Sequence, residues 1–162
     1  MEIRKAQPQD AQYAAQVESV CFPAAEAASP KAIAERIAAF SDHFWMLWDG
    51  ETPVGFINGM VTDTPHLEDE MYENTALHNE NGAWQMVFGL DVVPEYQHQG
   101  YASMLMRHLI DRAKQEKRSG VVLTCKETLI GFYKQFGFVC EGVSESQHGG
   151  VCWYEMRLTL KE

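Results

Sequence analysis

Gln97, Gly100 and Ala102 lie close together in the stretch PEYQHQGYAS, between an apolar run and an amphipathic one. The chemistry open to such a junction is anion binding. The first turn of a helix carries four backbone N–H groups without intrahelical partners and the positive end of the helix dipole. Gly100 and Ala102 keep that turn clear of bulk, so a phosphate or pyrophosphate can approach the amides of Gln97, His98, Gln99, Gly100, Tyr101, Ala102 and Ser103. Taken alone, Gly100 fits equally well a simple tight strand-to-helix turn. A Walker loop is excluded because no Gly-Lys-Ser/Thr follows Gly100, and a Rossmann fingerprint because two of its glycines are missing.

The flanking pattern predicts the elements that hold this loop. From Met86 to Val93 only Gly89 and Asp91 interrupt an apolar run, as in a strand covered on both faces, and Pro94 ends it by removing a backbone donor. Beyond Gly100, the residues Met104, Leu105, Leu109, Ile110 and Ala113 recur at helical spacing. The β-branched run Gly120–Lys126 then reads as a second buried strand, which completes a βαβ unit with parallel strands.

Upstream, Glu2–Ala6 reads as a strand. A helix opened by Pro8 runs to about Cys21, with Ala11, Ala14, Val17 and Val20 as its apolar stripe. Phe22-Pro23 breaks it, the loop AAEAAS carries Glu26, and Ser29-Pro30 caps a helix over about Lys31–Phe40. His43–Trp48 and Pro53–Val61 form a hairpin around Asp49–Thr52, with Gly55 and Gly59 marking a bulge or a close contact. Asp63–Asn81 is a long acidic connection with a short helix-like segment. Downstream come a short helix over Glu127–Gly137, closed by Gly137, a strand at Phe138–Val143 and a turn at His148-Gly149-Gly150. The last strand, Val151–Leu160, looks exposed enough to pair with a second subunit.

The chain has 162 residues, 46% hydrophobic and 22% charged, which suits one domain over 1–162 with its own core. No apolar run is long enough to span a membrane, and the polar start MEIRKAQPQD resembles no signal peptide, so a cytoplasmic location is expected. Cys21, Cys125, Cys140 and Cys152 form no C-x-x-C pair, so reduced thiols and no bound metal are expected. Cys125 is a conceivable nucleophile, but no histidine is visibly placed to activate it. A net charge of −10 argues against nucleic acid and suits a cationic substrate, although acidity for solubility alone is common.

Val93-Pro94 followed by Gln97-His98-Gln99-Gly100-Tyr101-Ala102 resembles the acetyl-CoA signature (V-x-P-x-x-R/Q-x-x-G-x-G/A) of the Gcn5-related N-acetyltransferases. Phe132-Tyr133-Lys134-Gln135-Phe136-Gly137-Phe138 resembles a second segment of that superfamily, in the right order and spacing. The nearest likeness is to its arylalkylamine and polyamine branch.

The resemblance implies an α/β fold with a central, mixed, mostly antiparallel sheet of about seven strands, a splayed parallel pair and about four flanking helices. It implies acetyl transfer from acetyl-CoA to a primary amine by direct attack. Pyrophosphate would lie on the amides from Gln97 to Ser103 and pantetheine along Val92 and Val93, with Lys126 and Phe132 also lining the cofactor. Tyr133 would be the general acid. Phe22, Glu26, His78 and Asp91 would face the acceptor, with Glu26 first in line to bind or deprotonate the ammonium. The positions of the branch's two proton-removing histidines are taken here by Val87 and Gly89, which leaves Glu26, His78, Asp91 or a water chain as the base. Protein or peptide acetylation and non-catalytic acyl-CoA binding are the alternatives, and the chain would act as a monomer or homodimer.

Overall fold

The structure, a computed structural model, describes residues 1–146 and 148–161. In chain order the described elements are β1 (Glu2–Lys5), α1 (Ala11–Cys21), α2 (Pro30–Phe40), β2 (Phe44–Asp49), β3 (Thr52–Asn58), β4 (Val61–Thr62) and β5 (Trp84–Val87). They continue with β6 (Gly89–Val92), α3 (Tyr101–Gln115), β7 (Gly120–Cys125), α4 (Ile130–Lys134), β8 (Val139–Val143) and β9 (Tyr154–Thr159). The chain forms two compact units, each built from two stretches: Met1–Gly59 with Gly89–Leu109, and Met60–Phe88 with Ile110–Glu162.

The first unit holds an antiparallel sheet in the order β1-β2-β3-β6. Its hairpin turns at Gly50-Glu51 between the paired Asp49 and Thr52, with Gly50 at φ 59°, and its register shifts between Leu47 and Trp48. Gly55 marks the expected close contact, since a Cβ there would stand 2.1 Å from the backbone oxygen of Asp91 on β6. Ser29 caps α2 by accepting from the Ala32 N–H at 3.1 Å, with Pro30 in the first turn.

Helices α1 and α2 contribute Ala14, Val17, Ile33 and Ile37 to a core with Phe44, Met46, Trp48 and Phe56 of the sheet. The predicted stripe of α1 needs one correction. Val20 is 58% exposed, while Glu18 is buried at 6%, so the helix turns a carboxylate inward instead of a valine. The site of which Glu18 is part gives the reason.

The second unit holds a sheet in the order β4-β5-β7-β9-β8, in which β5 and β7 pair in parallel from Trp84↔Gly120 to Val87↔Leu123. The single strand expected over Met86–Val93 is divided at Phe88, and its two halves serve different sheets. The strand expected over Pro53–Val61 is divided likewise, with β3 in one sheet and β4 in the other. The expected helix-like segment in 63–81 consists of two 3-10 turns, Asp69–Tyr72 and Thr75–Leu77.

The last strand is not an open edge. β9 lies between β7 and β8, paired on both sides, because its alternating residues serve two covered ladders. The end strand on that side is β8, where Val139 and Val143 are 64% and 66% exposed.

Gly55→Ala is expected to destabilise the fold by about 1–3 kcal/mol, since a methyl group meets backbone there and cannot be relieved by a rotamer change. Thermal unfolding would show a melting temperature lower by roughly 2–4 °C per kcal/mol. An unchanged melting temperature would refute the close approach of β3 and β6.

Candidate active site

Four residues fix the loop after β6. Pro94 opens a 3-10 turn over Pro94–Tyr96, and the Gln97 side chain turns back to donate from Nε2 to the Val92 carbonyl at 2.9 Å. The Cys21 thiol also donates to that carbonyl, at 3.4 Å, and the Val93 N–H donates to Val54 O at 2.9 Å. The Gln97 side chain is therefore a brace for the loop. The Val92 carbonyl and Val93 amide are likewise engaged within the chain.

His98 and Gly100 follow in the left-handed region, at φ 63° and 89°. The Gln99 side chain reaches Glu95 O at 3.4 Å. The bond from Met104 N–H to Gly100 O, 3.1 Å, sets the first turn of α3, so the amides of Tyr101, Ala102 and Ser103 precede any intrahelical partner. A Cβ on Gly100 would meet nothing within 4 Å, so glycine stands there for its backbone angle and not for room. His98 through Ser103 thus form one turn of successive N–H groups at the start of a fifteen-residue helix.

In the second unit, Tyr133 lies on α4 and is buried at 7%. Its ring meets Phe132 edge-on at 5.1 Å and Phe138 at 5.9 Å, and Phe132 meets Phe136 at 5.3 Å. Gly137, at φ 99°, closes this segment with its N–H on Lys134 O. Lys126 follows β7 in an extended conformation that leads into the Glu127–Leu129 turn. Burial pushes the Cys125 thiol up to about 11, with a smaller contribution from Cys140, which holds it protonated and unsuited to nucleophilic work.

His78 has a structural task. Its Nδ1 accepts from the Val61 N–H at 3.0 Å, which leaves the proton on Nε2 to be donated to Glu80 at 3.1 Å. His66, Glu141 and Glu155 bring possible metal-ligand atoms within 4.8 Å of one another, but Arg157 pairs with Glu141 at 3.0 Å and lies 3.9 Å from Glu155, so a cation is already present.

The acceptor-facing residues of the first unit separate into two groups. Phe22 ends α1 with its N–H on Glu18 O, and Glu26 sits in the following turn, its N–H on Pro23 O at 2.9 Å and its Oε1 shielded from solvent. The Glu18 carboxylate braces this loop by accepting from the Ala28 N–H at 2.8 Å.

Asp91 belongs to a cluster that sequence reasoning had only in part. It is 1% exposed, beside Glu18 at 6% and Arg36 at 4%. Burial raises the Asp91 carboxyl well above the usual carboxylate range. The Glu18 charge and a hydrogen bond with Glu18 raise it further, and Arg36 opposes them. Neither Asp91 oxygen meets a donor, because its neighbour Glu18 is another carboxyl, so the two can join only through a shared proton. The same charges act on Cys21, whose thiol is pushed up to about 12 by burial first and then by Asp91 and Glu18. Glu18 and Arg36 were detectable as charged residues on the apolar stripes of their helices, and Asn58 as the one polar residue closing the run VGFIN.

Residues 11–138 match the acetyltransferase (GNAT) family, and the chain belongs to it. Serotonin N-acetyltransferase of Mesocricetus auratus is 29% identical over 109 residues, which are 67% of this chain and 51% of that protein. The chain thus matches about half the length of that curated relative. Among solved structures, the GphF GNAT-like decarboxylase in complex with isobutyryl-CoA has a TM-score of 0.86 at 19% identity, over 99% of this chain and 100% of that one. The ribosomal-protein-S18-alanine N-acetyltransferase of Escherichia coli has a TM-score of 0.73 at 18% identity, over 99% and 94%. At these identities the likeness is one of fold, the mixed α/β GNAT architecture.

The raised Asp91 carboxyl has a readable sign. The folded chain keeps a proton there that the unfolded chain releases above the ordinary value of 3.8. The stability contribution of this group is therefore complete below that value and is lost as pH rises through the raised one. Asp91→Asn removes this loss, so the difference in unfolding free energy between variant and parent should move in favour of the variant as pH rises above the ordinary carboxyl value of 3.8. Urea unfolding at several pH values checks this, and a difference independent of pH would refute it.

Proposed function

We propose that this chain transfers an acetyl group from acetyl-CoA to the primary amine of a small acceptor, of arylalkylamine or polyamine type. The observation that carries the reading is the left-handed turn His98–Gly100 feeding the N-terminus of α3, directly after β6, the end strand of its sheet. The turn offers successive N–H groups to a pyrophosphate. A strand at a sheet edge can extend to a pantetheine arm, as it can to a peptide. In an antiparallel ladder alternate residues point their backbone groups away from the partner strand. With the Val93 N–H directed at β3, the outward groups belong to Val92 and Leu90. The name of the curated relative supports an amine acceptor.

In the reaction, the acceptor ammonium loses a proton and its nitrogen attacks the thioester carbonyl. The C–N bond forms, the C–S bond breaks, and the departing thiolate takes the hydroxyl proton of Tyr133. Glu26, in the turn after α1, is the candidate base for that proton. The chain crosses between its two units three times, which supports one acetyltransferase domain over residues 1–162. Among the described residues no helix is long and apolar enough to cross a membrane, and the cysteines are free thiols, which suits the cytoplasm.

A second acceptor class has its own observation. A cleft of about 490 Å³ in the second unit is lined by the acidic Glu68, Asp69, Glu145 and Glu155, a surface suited to a basic peptide.

Thiol release from acetyl-CoA across arylalkylamines, polyamines and short basic peptides tests these readings. Turnover with a small amine is expected, and turnover with peptides alone would overturn the small-amine reading. Gly100→Ala should weaken acetyl-CoA binding by roughly 5- to 30-fold, the effect of about 1–2 kcal/mol of left-handed strain. Tyr133→Phe should lower kcat by about 100-fold or more with the acetyl-CoA KM unchanged. If Tyr133→Phe retained full kcat, Tyr133 would not be the acid.

A further inference from the structure

Gly89 lacks a side chain where three polar side chains converge. A Cβ on it would stand 3.2 Å from Asp91 Oδ1, 3.5 Å from Asn58 Nδ2 and 3.7 Å from Glu18 Oε1. These come from β6, β3 and α1 of the same unit. Gly89 is absent from the glycines with a left-handed backbone, so its angles would admit any residue. It is partly exposed, which gives access from outside.

Asn58 is 0% exposed, and neither its Nδ2 nor its Oδ1 has a partner. Buried amides are nearly always hydrogen-bonded in folded proteins, so an unpartnered one beside a position that lacks a side chain marks the place of a guest. Two carboxyls exclude an anion. A divalent cation takes six or more oxygens, and this cluster offers five at most, one of them already on the Ala28 N–H and all near the Arg36 guanidinium. A primary ammonium matches better, with three N–H donors and one positive charge. Both amide atoms of Asn58 being unpartnered, its plane can turn to present Oδ1 without breaking a bond.

We propose that Glu18, Asp91 and Asn58 form the recognition pocket for the primary ammonium of the acceptor, entered over Gly89. The inference rests on the small-amine reading above and supplies the residues that select the amine. It places recognition at the carboxyl pair, whereas the sequence pointed first to Glu26. Asp91 directly precedes Val92 on the strand assigned to the pantetheine arm, so an amine held there lies about one strand residue from it. The titratable or charged groups facing the pair are Cys21 of α1 and Arg36 of α2. An arriving ammonium adds a positive charge beside a proton shared by two carboxyls, and that proton is expelled.

Calorimetric titration with phenethylammonium and with putrescine, in two buffers of different ionisation enthalpy, tests this alongside steady-state acetylation. Wild type is expected to release up to one proton on binding the amine at neutral pH. Gly89→Ala, which fills the entry without removing a charge, should weaken amine binding and raise the amine KM at least tenfold while acetyl-CoA binding stays unchanged. Asn58→Ala should weaken it similarly, and Asp91→Asn should also abolish proton release. If wild type acetylates either amine while Gly89→Ala and Asn58→Ala keep its KM within twofold, the pocket assignment falls and the amine reading stands. If wild type neither binds nor acetylates any amine, the amine reading falls and the pocket assignment with it.

Discussion

A β-strand has two hydrogen-bonding edges, and how the chain uses them around Phe88 decides where chemistry can occur. Before Phe88, β5 is paired on both sides, antiparallel to β4 and parallel to β7. After it, β6 is paired with β3 alone and ends its sheet. An unpaired edge is ordinarily a liability that proteins cover or charge. Here the covering is partial and local: the side chain of Gln97 and the thiol of Cys21 both close on the Val92 carbonyl. The left-handed turn at His98 and Gly100 then starts α3 at once, so an open strand edge and a row of helix-start amides follow each other within about a dozen residues of chain.

The second constraint is electrostatic. Asp91 enters the interior on a strand that must be covered, and a lone buried carboxylate is strongly disfavoured. The unit answers with opposing measures. Arg36 comes in from α2 to favour the charge, while Glu18 comes in from α1 to disfavour it, and the carboxyl is raised on balance. A chain selected for stability alone would be better served by apolar residues at these positions, since buried charged groups seldom improve on a packed hydrophobic isostere. Burying two carboxyls, one guanidinium and an unpartnered amide where two helices cover one small sheet is a cost that the proposed recognition role explains.

Much of this was legible beforehand. The loop from Gln97 to Ser103, the helix behind it and the segment around Tyr133 fall where periodicity and motif placed them, because each is a local feature of turn chemistry and apolar spacing. The divided central strand was not legible. A run of buried residues has the same composition whether it serves one sheet or two, and Phe88 carries no proline or left-handed glycine to mark the change. The last strand was misread for a related reason. Alternation reports that two faces differ, and says nothing about which strands lie alongside. Glu18 was detectable but passed over because Ala11, Ala14, Val17 and Val20 recur every third residue, a spacing that drifts round the helix and leaves the face shared by Ala14, Val17, Glu18 and Cys21.

Three glycines around β6 show how little a glycine reveals until its surroundings are known. Gly55 is required because the backbone of the next strand occupies the place of a side chain, with Asp91 O at 2.1 Å. Gly100 is required because φ is 89°, with nothing nearby to obstruct a side chain. Gly89 answers to neither reason: its angles are ordinary and its closest neighbours are the ends of side chains at 3.2 Å and beyond. A side chain there would be tolerated by the backbone and would cover three polar atoms of the interior. Conformation therefore does not account for this glycine, whereas access to the Glu18, Asp91 and Asn58 cluster does.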